Sequence, residues 1–324
     1  MQLDRTEIVI RQRSPLELLD LSIFVLREHL LPVVLSSLTL GAPLLLCDVF
    51  FASHWISTET QESVSYDTPF QVLQIANFFN LVLLFWLQLE FITLPITIYL
   101  GNAIFFERLG YRQILSQIRA VFVRSLIVLG ILRFGLAGLI VELCFLENPT
   151  SYIKILLLIA LLMSVMICRS GRPFADEIIG LEKCKLRNPP EGELSYGQRS
   201  SNLHRFLVAE NFNRMVVFST FAVLLLVMVL ANFIFIKGVL SARWNWDGWI
   251  DYAGIPIALW LVSLLAVVFR FLSYLDSRIR LEGWELELRI KAEARRFMQR
   301  IEPAVVGLDL ETSEVADPVE AELS

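Results

Sequence analysis

The chain has 324 residues, of which 56% are hydrophobic and 19% charged, and its mean hydropathy is +0.61. Its length would suit one or two soluble domains, but this apolar excess is gathered in blocks of about 20 residues, which excludes an ordinary soluble fold. The net charge of −5 is an effect of the C-terminal tail: Glu302, Asp309, Glu311, Glu314, Asp317, Glu320 and Glu322 stand there without Lys or Arg, and without these seven the chain carries +2.

Residues 1–13 read as a loose start. Ser14-Pro15-Leu16-Glu17 is a helix-start signal, with Ser as N-cap, Pro at the first helical position and Glu three after the cap. Leu16, Leu19, Ile23, Leu26 and Leu30 then form one apolar stripe. This predicts either a helix lying on the inner membrane surface or the solvated beginning of the first span. There is no short apolar core followed by small residues, so no cleavable signal is expected and the first span directs insertion.

That span covers about 30–51, with Pro32 in its first turn and Pro43 at a kink. Residues 52–77 are polar and hold no Lys or Arg. The second span is about 78–101, and the connector after it carries Arg108, Arg112 and Arg119 on a short amphipathic helix. The third span is about 121–146; a tight turn, Glu147-Asn148-Pro149-Thr150, leads into a fourth at about 152–168. The insert 169–214 is the largest polar segment, with a helix expected over 173–186 and another entering the fifth span, about 215–236. Trp244, Trp246, Trp249 and Tyr252 crowd the next loop, as rings at a headgroup layer do. The sixth span is about 253–275, followed by a charged cytoplasmic amphipathic helix at 276–300 and an acidic, disordered tail at 301–324. The predicted class is therefore all-α: a polytopic membrane helix bundle of six transmembrane helices, with amphipathic helices at the interface.

Lys and Arg set the orientation. The N-terminal segment, the second and fourth connectors and the C-terminal region are rich in them, whereas the opposite side has only Lys154, Lys237 and Arg243. Positive loops stay in the cytoplasm, which places both termini there and the protein in a bacterial inner membrane.

Two charges sit inside apolar runs: Glu90 in the second span and Arg133 in the third. With a rise of 1.5 Å per residue from their shared connector, they reach similar depth and are expected to pair. An unpaired charge at mid-membrane costs about 2.5–3.5 kcal/mol on insertion scales. The pair either fixes how the two spans pack or forms a gate in a transport path. Only Gln88, Glu142, Asn232 and a few hydroxyls add to the intramembrane polar set, which favours the packing role. Glu142 and Lys154 are expected to form a second pair at the outer interface.

The cysteines Cys47, Cys144, Cys168 and Cys184 form no CxxC pair, and His29, His54 and His204 are scattered, so no metal or cofactor is expected. Cys47 and Cys144 fall near the outer ends of their spans, where either a disulfide or two small apolar side chains would fit. Nucleophile elbow, HExxH and Gly-rich phosphate loop are all missing. The basic inner face suits anionic lipid headgroups or simple topology marking, and its scattered charges, mixed with acids, argue against nucleic acid.

Three stretches carry a resemblance: LELLDLSIFVLREHLLPVVL, LPITIYLGNAIFFERLGYRQILSQI and YLDSRIRLEGWELELRIKAEA. Together they resemble uncharacterised bacterial polytopic proteins, similar to the membrane domain attached to some glycerophosphodiester phosphodiesterases and to YciC-like membrane proteins. The last stretch is the most specific, through Tyr274, Asp276, Arg278, Arg280, Glu282 and Gly283. The phosphodiesterase's catalytic barrel has no counterpart here, so the resemblance implies architecture rather than that activity. The expected role is a non-enzymatic scaffold or accessory subunit engaging the bilayer and a membrane or cytoplasmic protein partner. The alternatives are a small-solute or lipid transporter using Glu90 and Arg133 and, third, a lipid-modifying enzyme.

Overall fold

A computed structural model describes residues 13–62, 70–104, 110–133, 171–186, 194–205, 207–242 and 249–282, together with 140, 159–161, 163, 169 and 244. The chain divides into two units, 13–277 and a second made of 1–12 with 278–324. Of the second unit the described part is 278–282, the helical end of the last span, which carries Arg278, Arg280 and Glu282. The Glu142/Lys154 pair, Gly283, the rest of the 276–300 helix, the 301–324 tail and almost all of the fourth span lie outside the described residues.

The described residues of the first unit contain helices and no strand. Helix α1 (Pro15–Glu28) starts on the capping box read from the sequence: the Glu17 backbone N–H donates to Ser14 Oγ at 3.3 Å, and the Ser14 N–H donates to Glu17 Oε2 at 3.4 Å. It stops at His29, and α2 (Leu30–Glu62) begins at once, so α1 is an element in its own right. Its buried face is Leu18, Leu19, Ser22 and Val25, while Leu16 and Ile23 of the expected stripe are exposed.

Helices α2 and α3 (Phe70–Ile104) both run beyond the apolar limits of their spans. The polar segment between them is therefore largely helical, because a backbone already hydrogen-bonded in a helix propagates at little further cost. Helix α4 (Tyr111–Ser125) buries Ile114, Ile118 and Val121 and passes without a break into a π-helical stretch, Leu126–Leu132. The connector helix and the third span are thus one element, and the apolar window starts at Arg112 rather than near Val121.

The insert contributes the six-residue helix α5 (Ala175–Gly180) and α6 (Tyr196–Arg205). Helix α7 (Val208–Ser241) ends at Ala242 in the left-handed conformation. A second π-helical turn, Ile250–Gly254, leads into α8 (Ile255–Glu282).

Five helices among the described residues are long and apolar enough to cross a membrane: Leu30–Phe50, Leu81–Ala103, Arg112–Ile131, Val208–Ser241 and Ile255–Leu281. This is the pattern of a multi-pass membrane protein. Helix α3 packs against α2, α4 and α5 and has the most buried of these windows. Two glycines set the closeness of α3 and α5. A Cβ at Gly101 would run into the Leu181 side chain, and one at Gly180 would come within 3.3 Å of Ile98. Farther along α3, Leu81 and Leu84 cluster with Leu230 of α7 and with Ile255 and Ala258 of α8.

Candidate functional site

The tight α3–α5 contact brings polar groups from the insert against the middle of α3. The structure places Glu90 and Arg133 together: Arg133 Nη2 lies 3.0 Å from Glu90 Oε1, and both side chains are almost completely buried. The π-helical stretch helps aim Arg133, whose backbone N–H closes on Val128 O five residues back at 3.1 Å. An inserted π-turn rotates the residues beyond it relative to an ordinary helix, and such turns recur at functional sites.

Glu90 is not a partner to Arg133 alone. Arg169 Nε lies 3.6 Å from the same Glu90 oxygen. The Arg169 guanidinium also donates to the carbonyl of Trp86 and, at 3.0 Å, to that of Leu87, and it sits 5.7 Å from the centre of the Trp86 ring. One carboxylate thus faces two guanidinium groups.

A second cluster lies one turn along α3. Asp176 and Glu177, both fully buried on α5, hold Arg270 of α8: Arg270 Nε donates to Glu177 Oε1 at 2.8 Å, and Nη2 donates to Asp176. Thr93 joins them by donating to Asp176 Oδ2 at 2.6 Å. Burial pushes the Glu177 carboxyl up to about 7 against the attraction of Arg270.

A third cluster ties α7 to α8. Arg214 donates to Ser273 O at 3.0 Å, to Ser277 Oγ at 3.2 Å, to Glu210 Oε1 at 2.8 Å and to Asp276. The Arg13 N–H donates to the other Asp276 oxygen at 3.0 Å. Asp276 and Tyr274, singled out above as motif residues, therefore have internal partners. Tyr274 donates to Glu182 Oε1 at 2.6 Å, and Arg199 grips both Glu182 oxygens, at 2.5 and 2.8 Å. Beside them His204 stacks on Phe174 with centroids 5.2 Å apart, and burial lowers it to about 4, so it is neutral at physiological pH.

These clusters border a cavity of about 290 Å³. Its polar wall is formed by Glu90, Arg133, Arg169, Arg214, Arg270 and Asn211, and its apolar wall includes Trp86, Leu89, Phe218, Val267 and Phe269. The acids Asp176, Glu177, Asp276 and Glu210 do not line it; they hold Arg214 and Arg270 from behind. Comparison of the chain with protein-family models, curated proteins and solved structures finds no match. The residues around the cavity carry the functional argument themselves.

Several atoms of these residues are buried without a hydrogen-bond partner among the described residues: Arg133 Nε and Nη1, Arg214 Nε, both amide atoms of Asn211, Glu90 Oε2, and Arg169 Nε, which keeps its ion-pair contact with Glu90. Elsewhere in the apolar interior, Asp48 Oδ1 accepts from Gln88 Nε2 at 2.8 Å, joining α2 to α3 away from the cavity. Asn232 bonds to its own helix at Met228 O and takes no part in the site. Cys47 is an exposed free thiol, and no group of three or more potential metal ligands occurs among the described residues.

Glu90 and Arg133 stand out in the sequence because each interrupts an apolar run. Arg169, Asp176, Glu177 and Arg214 do not, because they stand in the charged insert, where the topology rule already accounts for the basic residues. The available signal was Asp176-Glu177, two adjacent acids set between the apolar Phe174 and Ile178.

Proposed function

We propose that this chain is a six-span protein of a bacterial cytoplasmic membrane, with both termini in the cytoplasm, and that it acts as a small-solute or lipid transporter through the arginine-lined cavity. The observation that carries this reading is the cavity itself: three buried arginines, the partly exposed Arg270, Asn211 and Glu90 line one space between membrane-length helices. A pair that served only to lock two spans would need no such space, and intramembrane ionisable groups gather where a substrate route is lined. The Asn211 and Arg214 edge of the site belongs to the cytoplasmic half, because both residues fall in the first two turns of α7. In this reading α1 and the start of α4 lie along the inner interface.

The likeness to the membrane domain of glycerophosphodiester phosphodiesterases and to YciC-like proteins fits the same architecture. A scaffold role is the second reading, supported by the ion pairs that tie α7 and α8 together through Arg214 and Asp276.

Reconstitution tests the transport reading. Proteoliposomes of the parent should move fluorescent lipid or entrapped solute across the bilayer, and Glu90→Gln should abolish the flux while leaving a folded protein. No flux above empty liposomes, across anionic, zwitterionic and neutral cargo, would leave the scaffold. Cysteine labelling from each side tests orientation: the Trp244–Trp249 loop and residues 194–205 should react from opposite faces.

A further inference from the structure

Three helices each turn one stripe towards the cavity. Trp86 and Leu89 of α3, Met215 and Phe218 of α7, and Ala266 and Phe269 of α8 line it, and the spacing of three within each pair keeps it on one helix face. The wall is mostly apolar. Its charged residues have their heads engaged elsewhere: Arg214 with Asp276 and Glu210, Arg270 with Asp176 and Glu177, and Glu90 with Arg133 and Arg169. The space therefore offers a ligand hydrocarbon surface.

Protein interiors are close-packed, and an apolar void forgoes the dispersion contacts that a filling group would make. Water is a poor filler, because it needs two to four polar partners. A hydrocarbon needs none. The mouth of the cavity says where one would come from. Ser219 lines the space and is itself exposed, and Val216 and Val223, one turn to either side of it on α7, are exposed as well. That helix has an apolar window only 11% buried in the protein, so its outward face is the one that meets lipid. The opening beside Ser219 thus lies on a surface bathed by acyl chains. The size agrees. At roughly 30 Å³ for each water-sized group, 290 Å³ takes about ten such groups, which is part of one chain and not a whole lipid.

We infer that the cavity holds a single acyl chain of a membrane lipid, which enters sideways from the bilayer past Ser219 and lies against Trp86, Leu89, Phe218 and Ala266 while its headgroup stays outside. This rests on the cavity being a ligand site, as proposed above, but not on transport.

The test uses the full chain in vesicles of phosphatidylcholine, with and without bromine at the middle of the acyl chains. Bromine quenches tryptophan on contact, and Trp86 is a reporter already in the wall; its share of the emission is the difference between the parent and Trp86→Phe. Brominated lipid should quench that share by at least half. Ser219→Phe narrows the mouth at an exposed position, where added bulk crowds no core, and Ala266→Phe fills the space from α8. Each should cut the quenching of Trp86 at least twofold, and Ser219→Phe keeps the test decisive if Ala266→Phe fails to fold. No quenching of Trp86 in the parent, or undiminished quenching in either folded variant, overturns the inference. Quenching without flux in the transport assay upholds the bound chain and removes transport; flux without quenching keeps transport and removes the chain.

Discussion

Helices α3 and α7 are both membrane-length and apolar, yet they occupy opposite environments. The apolar window of α3 has mean hydropathy 2.0 and is 78% buried in the protein, whereas that of α7 has 2.6 and is 11% buried. The oilier helix is the one left uncovered. In a bilayer, lipid and protein interior are equally apolar, so hydropathy reports insertion and not which neighbour a helix has. What separates the two is where their polar groups lie. Helix α3 carries Gln88, Glu90, Thr93 and Thr97 along its buried length, while the buried polar groups of α7 are Asn211 and Arg214 at its inner end. A polar group at mid-membrane needs protein around it, and that need selects the central helix.

The sharpest way to break this contrast is to remove the carboxylate at the centre of α3. Glu90→Leu leaves Arg133 and Arg169 buried without their shared counter-charge, and thermal unfolding in detergent should show a loss of about 3–5 kcal/mol, the range for breaking a buried pair. Glu90→Gln with Arg133→Met should recover only part of the corresponding loss, because Arg169 remains. Full recovery would show that Arg169 does not depend on Glu90.

Truncations come next. Ile92→Ala on α3 should cost about 2–5 kcal/mol as a core cavity, and Leu224→Ala on α7 much less, because lipid refills the gap. Equal losses would mean that a second protein surface covers α7. Enlarging the close approach, Gly101→Val, should cost about 1–3 kcal/mol by overpacking, and Leu181→Ala should relieve it.

The smallest effects are those of pH, and they oppose one another. Glu177 is raised in the fold to about 7 from 4.5, so the folded state holds a proton that the unfolded state has released. Stability from this group falls as pH rises from about 4.5 to 7, and Glu177→Gln should remove that decline. His204 is lowered to about 4 from 6.5, so here the unfolded state takes the proton first. Stability is lost as pH falls from about 6.5 towards 4, and His204→Gln should flatten that limb of a Tm–pH profile.

Much of the helical plan was legible in the sequence, because membrane spans are written in long runs and helix starts in short codes such as Ser14 to Glu17. The boundaries were less so. Residues on either side of 63–69 read as a polar loop but continue α2 and α3, since helix propagation does not stop where lipid does. Of the site, Glu90 and Arg133 stood out against apolar surroundings. Arg270 had the same signature, a charge in the inner half of the last span, but it was counted with the basic C-terminal region. Asp48 was hidden at the end of its apolar run. Asp176 and Glu177 became partners of Arg270 only through the close α3–α5 approach that Gly101 and Gly180 permit, and no local pattern encodes a contact across that separation.

The π-helical stretch at Leu126–Leu132 has a practical consequence for mapping this protein. A helical-wheel projection drawn through it will misassign faces, because positions after it are turned on the order of 100° from where a regular helix would put them. An accessibility scan that steps one cysteine at a time from Tyr111 to Arg133 should therefore keep one periodicity up to Ser125 and then slip phase, which would look like a bend in the helix although its axis need not change direction.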